Sequence, residues 1–172
     1  SFGGDDYIDI GNDMSLKITT GTLSAWIYSD DYPRWGGVVS FLNDYRVGRY
    51  GYAMGVRNGL AYLQADQNDY VEFYNANILE KSRWHHVVVN YNDSNIEGYI
   101  DGAKVNGSDH NQEISFTDSN TARIGVFDNL MVSPGYGPNY FKGSIDDVRI
   151  YNRALSAKEV KALYDLATPK GQ

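Results

Sequence analysis

Runs of roughly five to eight residues rich in Val, Ile, Tyr and Phe recur along this chain, each closed by Gly, Asn or Asp. That rhythm constrains the fold more than any single motif, because it is the spacing of an antiparallel β-sandwich. The strands it predicts are Tyr7–Ile10, Thr22–Tyr28, Gly37–Leu42, Tyr52–Val56, Ala61–Ala65, Val71–Tyr74, Trp84–Tyr91, Ile96–Ile100, Ala122–Phe127 and Phe141–Tyr151. In Trp84–Tyr91, alternation puts Val87, Val89 and Tyr91 on one face and Trp84, His86, Val88 and Asn90 on the other. Apolar residues on both faces fit a central strand whose second face is a partly covered concave surface. Asp101-Gly102 supplies the positive φ of a tight hairpin turn. One helix is expected near the C-terminus. Ser156-Ala157-Lys158-Glu159 is a capping box, Leu155 and Val160 form the hydrophobic staple, Val160, Leu163 and Tyr164 form the buried stripe, and Thr168-Pro169 is the stop.

Composition narrows the function. A chain of 172 residues without a linker reads as one domain over residues 1–172. No cysteine means no disulfide framework and no thiolate zinc site. No run approaches the ~20 apolar residues of a membrane-spanning helix, and Ser1-Phe2-Gly3-Gly4 is neither basic nor apolar enough to belong to a signal peptide. The net charge of −7, with 15 scattered Lys and Arg, would repel a phosphate backbone, so nucleic acid is not expected as a partner. The 15 tyrosines and three tryptophans offer flat apolar faces with polar edges, a surface suited to sugars, although all-β cores are also rich in Tyr.

Four ordered segments resemble the LamG-like (concanavalin A-like) jelly-roll family. They are Gly4–Ile10, Leu23-Ser24-Ala25-Trp26-Ile27, Trp84-His85-His86-Val87 leading to Tyr99-Ile100-Asp101-Gly102, and Phe141–Ser156 with its run Gly143-Ser144-Ile145-Asp146-Asp147-Val148-Arg149-Ile150-Tyr151. The resemblance implies an all-β, two-sheet antiparallel jelly-roll sandwich with one short C-terminal helix. It also implies a module cut from a larger secreted protein, extracellular or at the cell surface, acting as a carbohydrate-binding domain. A protein-binding adhesion or spacer domain is the alternative the same fold allows.

Candidate sites follow from residue chemistry within that frame. Since the resemblance makes the first and last strands neighbours, Asp5 and Asp6 meet Asp146 and Asp147, and hard carboxylate oxygens suit a structural Ca²⁺. Alternatively, Asp146 bonds backbone at a strand bulge while Asp5 and Asp6 are solvated turn residues. Asp30–Gly37 is too polar to be core yet holds Arg34 and Trp35, so it is either a sugar-stacking platform at the sheet rim or a cap on the sandwich edge. Asn43–Tyr52 interleaves Arg46, Arg49 and Tyr50 around glycines, which fits an anionic sugar or ordinary surface pairing. Gln67 and Asn68 in a polar turn, and Asp128, Tyr136 and Tyr140 along the loop after residue 127, complete the candidate ligand set. A catalytic role finds little support. The Glu-x-Asp-x-x-Glu pattern of related glucanases is absent, the glutamates stand apart, and no Ser-His-Asp order or nucleophile elbow is present. His85 and His86, adjacent on a strand, face opposite ways.

Overall fold

The computed structural model describes residues 1–42, 50–65, 69–72, 79–92, 94–109, 114–127 and 139–167. The strands are β1 (Phe2–Gly3), β2 (Ile8–Gly11), β3 (Gly21–Tyr28), β4 (Gly36–Leu42), β5 (Gly51–Arg57), β6 (Leu60–Ala65), β7 (Asp69–Glu72), β8 (Trp84–Tyr91), β9 (Asn95–Ile100), β10 (Ala103–Asp109), β11 (Thr121–Ile124) and β12 (Lys142–Tyr151). A 3-10 turn at Met14–Leu16 and the helix α1 (Ala157–Ala167) complete the element order. Every pairing is antiparallel and the strands form two six-stranded sheets, β1-β12-β3-β8-β9-β10 and β2-β11-β4-β5-β6-β7. This is the expected sandwich.

Period-two alternation explains the core. From the first sheet Leu23, Ala25, Ile27, Val87, Val89 and Tyr91 point inward, and from the second Val39, Phe41, Tyr52, Met54 and Val56 meet them. Each fully buried aliphatic or aromatic side chain removes apolar surface from water and contributes about 1.5–3 kcal/mol. The inward tyrosines keep their hydroxyls satisfied, since Tyr52 donates to the Leu16 carbonyl (3.0 Å) and Tyr91 to that of Ile18 (3.3 Å). Loss of solvation pushes the Tyr52 and Tyr91 phenols well above their ordinary range.

The outward positions of β3 and β8 are buried too, and here the structure corrects the concave-surface reading. Trp26, His86, Val88 and Tyr99 lie beneath α1, whose Val160, Leu163 and Tyr164 pack on them with Leu155. The apolar stripe of α1 needed a partner, and this face is it. The helix begins as the capping box predicts. The Glu159 backbone N–H donates to Ser156 Oγ (3.3 Å) and the Ser156 N–H to Glu159 Oε2 (2.8 Å). A bidentate bond from Arg153, together with the Ser156 donors, holds the Glu159 carboxyl down at about 2.

Most expected strands lie within one residue of those observed. Three differences have local causes. The expected Ala122–Phe127 strand ends at Ile124 because Gly125 turns to φ +91, where the Phe2 ring occupies the space a Cβ would need. The expected Val71–Tyr74 strand begins two residues earlier, at Asp69, because its ladder with β6 starts from the Ala65↔Asp69 pair, and its residues 73 and 74 lie outside the described residues. β1 and β10 are not anticipated: the first has two residues, and the second, Ala-Lys-Val-Asn-Gly-Ser-Asp, is a polar strand with one neighbour among the described residues and no alternation to read. The hairpin leading into β10 turns at Asp101 (φ 52) and Gly102 (φ 75), as the dipeptide predicts.

Candidate functional site

The outer face of the second sheet carries a part-exposed ring, Trp35, beside a cation, Arg57. Strand register lines up Asp9, Arg123, Ser40 and Ala53 across β2, β11, β4 and β5, so these residues share that face. Small residues along its middle leave room for rings. A Cβ at Gly55 would collide with Phe127 and with the Gly36 carbonyl, so glycine is what lets Phe127 lie flat there. Phe127, Leu42 and Ala53 form a buried cluster, with half-buried Trp35 packed against it. The Arg57 guanidinium lies 4.6 Å from the centre of the Trp35 ring, a cation–π distance.

Backbone bonds pin this arrangement. Ser40 Oγ donates to the Val126 carbonyl (3.0 Å), and the Asn139 carbonyl accepts from both Gly37 N–H (3.0 Å) and Phe127 N–H (3.2 Å). Both ends of the segment between Phe127 and Asn139 therefore start beside Trp35. Towards β2, Arg123 stands 5.6 Å from the Tyr7 ring and 4.0 Å from the Asp9 carboxylate, and Tyr140 stacks on Tyr7 at 6.5 Å.

Of the candidate ligand residues, Trp35 is held by packing yet partly open, and Arg34, next to it in sequence, is exposed. Tyr50 is half-buried and its carbonyl accepts from Asn120 Nδ2 (2.9 Å). Tyr140 is half-buried and paired with Tyr7. Arg46, Arg49, Gln67, Asn68, Asp128 and Tyr136 lie outside the described residues. Sequence reasoning missed Arg57, Arg123 and Tyr7. Arg123 had a signal, since Ala122 and Ile124 face inward and alternation turns it out; the meeting of Arg57 with Trp35 across a strand pair had none.

The four aspartates are only partly brought together. The expected first strand, Tyr7–Ile10, is not a neighbour of the last: it forms β2 beside β11 in the opposite sheet, and only the unexpected two-residue β1 pairs with β12, so the Gly4–Tyr7 turn crosses between sheets. Asp6, Asp146 and Asp147 line one cleft of about 610 Å³. One oxygen of Asp6 accepts from the Gly3 N–H (2.8 Å), one of Asp146 from the Asp147 N–H (2.8 Å), and Asp147 forms an ion pair with Arg149 (2.8 Å). Asp147 sits at φ 47 in a bulge between Asp146 and Arg149. That bulge is the alternative reading of this segment, and it breaks the alternation that would have aimed one aspartate inward. Among the described residues no three His, Cys, Asp or Glu side chains form a group that could hold a metal ion.

The adjacent histidines face opposite ways, as alternation predicts. His85 pairs its Nδ1 with Asp101 (2.9 Å) while its Nε2 accepts from the Glu80 N–H (2.9 Å). Burial pushes the Asp101 carboxyl up, but the bonds from His85 and the His86 N–H outweigh it and leave the group below its ordinary value. His86 Nε2 is 2.9 Å from Ser24 Oγ. Both residues are buried, and His86 Nδ1 has no hydrogen-bond partner among the described residues. Among the described residues no carboxylate bonds the ring, and both members of the pair are buried.

Comparison with known proteins places this geometry in a family. The family model described as concanavalin A-like lectin/glucanases superfamily, of laminin G type, matches residues 2–161. Among solved structures, a candidate carbohydrate-binding protein from Bacteroides ovatus superposes with a TM-score of 0.73 at 17% identity, covering 93% of this chain; the chain spans 45% of that protein. The Ruminococcus gnavus IT-sialidase CBM40, in complex with α2,3-sialyllactose, gives a TM-score of 0.71 at 15% identity over 93% of this chain and 97% of its own. Domain 4 of AbnA, an extracellular arabinanase from Geobacillus stearothermophilus in complex with arabinotriose, gives 0.70 at 16% identity over 94% of this chain and 74% of its own. A search of curated proteins found no match. With the family model covering nearly its whole length and both sheets in place, the chain belongs to the concanavalin A-like lectin/glucanase superfamily, laminin G type.

Proposed function

We propose that this domain is a non-catalytic carbohydrate-binding module that acts outside the cell as part of a larger protein, holding a glycan against the outer face of the second sheet. The observation that carries this reading is the Trp35 ring, fixed on Phe127, Leu42 and Ala53 and faced by Arg57 at 4.6 Å. A ring held in place before the ligand arrives loses little side-chain freedom on stacking against a sugar, and the guanidinium edge can donate to hydroxyls or to a carboxylate or sulfate. Arg34 next to Trp35, and Arg123 with Tyr7 and Tyr140 farther along, extend the surface and support a preference for acidic glycans. The neighbours that bind sialyllactose and arabinotriose support the carbohydrate class without choosing between acidic and neutral sugars. The buried Ser24–His86 pair supports the non-catalytic part.

A glycan array of neutral, uronate-containing, sialylated and sulfated polysaccharides, followed by calorimetry, tests the proposal. Micromolar to millimolar binding is expected, with Trp35→Ala reducing affinity at least about tenfold at an unchanged fold. Silence across the array, or full binding by Trp35→Ala, would overturn it.

A further inference from the structure

We propose that the cleft between the sheet edges at β1 and β2 docks an extended polypeptide strand in which apolar side chains alternate with lysine or arginine. At this side of the sandwich both sheets end in short strands, β1 of two residues and β2 of four. Between them lies the open cleft of about 610 Å³, floored by Phe2, Ile8, Ile124, Ile145 and Val148. Four large apolar side chains stay exposed within one short stretch here: Tyr7 (44%), Ile8 (53%), Ile10 (45%) and Met14 (69%). Among the described residues β2 has a single neighbour, β11. Lysine and proline, which block an exposed edge most strongly, are absent from the segment Tyr-Ile-Asp-Ile-Gly-Asn-Asp-Met at 7–14; its guards are its shortness, Asp9 and a register shift against β11.

Charge selects the occupant. Asp9 is paired with Arg123 and Asp147 with Arg149, while no ion pair among the described residues engages Asp6 or Asp146 at the rim. An aliphatic floor disfavours a sugar, whose hydroxyls would lose water without gaining partners. An acidic rim disfavours an acidic segment. A strand added beside β2 gains backbone hydrogen bonds, and its period-two alternation sends every second side chain into the cleft and the others towards the rim. This surface meets the far end of the proposed glycan face at Tyr7 but includes neither Trp35 nor Arg57.

The probes are two synthetic peptides, acetyl-KVKIKVK-amide and acetyl-EVEIEVE-amide, titrated into isotope-labelled protein and followed by amide chemical shifts at low salt. The basic peptide should shift Phe2, Ile8 and Ile145 with a dissociation constant below about 1 mM, weaken several-fold when salt is raised, and leave Trp35 unmoved; the acidic peptide should shift nothing. Ile8→Lys should abolish the effect. Asp146→Asn, which keeps the acceptor for the Asp147 N–H, should weaken it about threefold. Both variants should keep dispersed spectra and parental glycan binding. Equal response to both peptides, no shift with the basic peptide at about 1 mM, shifts centred elsewhere, or unchanged binding by Ile8→Lys would each overturn the proposal.

Discussion

Acid should loosen this domain through His86. The ring is 2% exposed, lies 5.2 Å from Trp26 and 6.2 Å from Tyr164, and is covered by α1. Burial brings its pKa down from 6.5 to about 4; Asp101 and Asp147 oppose this and Arg149 adds to it. Above about pH 6.5 the imidazole is neutral in both folded and unfolded chains, and this contribution to stability is complete. Between about 6.5 and 4 the unfolded chain takes up a proton that the folded chain refuses, so stability falls as pH falls; below about 4 both are protonated and the loss is complete. At about 1.4 kcal/mol per pH unit, the gap corresponds to about 3 kcal/mol. Urea denaturation followed by tryptophan fluorescence, on the parent and on His86→Gln from about pH 7 to about pH 4, isolates it, because carboxylate contributions common to both cancel in the difference. The parent should lose about 3 kcal/mol more than the variant over that range. Superimposable pH profiles, or an imidazole that titrates near 6.5 in the folded protein by NMR, would refute the reasoning.

Two further outcomes follow from local geometry. Gly55→Ala should cost about 1–3 kcal/mol in urea denaturation, because the new methyl meets Phe127 and the Gly36 carbonyl, and by displacing Phe127 it should also weaken glycan binding in calorimetry; unchanged stability would mean that Phe127 does not lie on Gly55. Melting temperature should be the same in calcium and in EDTA, since Asp147 is paired with Arg149; a rise with calcium that Asp147→Asn removes would show that an ion displaces the arginine.

The sandwich was readable because alternation is a property of each strand by itself: Trp84–Tyr91 announces its two faces without help from neighbours. The capping box at Ser156 and the Asp101-Gly102 turn were readable for the same reason, being set by backbone rules within a few residues. What covers a face is not local. The outward apolar residues of β8 looked the same whether a ligand surface or α1 lay over them, and only tertiary packing gave the place to Val160 and Tyr164. The same holds for the site. Trp35 stood out as a polar-loop indole, but its partner Arg57 lies 22 residues on and meets it only through the β4–β5 pairing. At Asp146 and Asp147 the bulge decided the matter, because one inserted residue reverses which side chain faces in, and nothing in Ile-Asp-Asp-Val marks the insertion.

Chemical-shift mapping with the strongest glycan from the array locates the binding surface. The Trp35 indole N–H and the amides of Arg34, Arg57 and Arg123 should move in a saturable, concentration-dependent way, while residues beneath α1 such as Val88 and Tyr99 stay still. Saturable shifts confined to α1 and the first sheet, with Trp35 unmoved, would contradict the placement of the glycan on the second sheet.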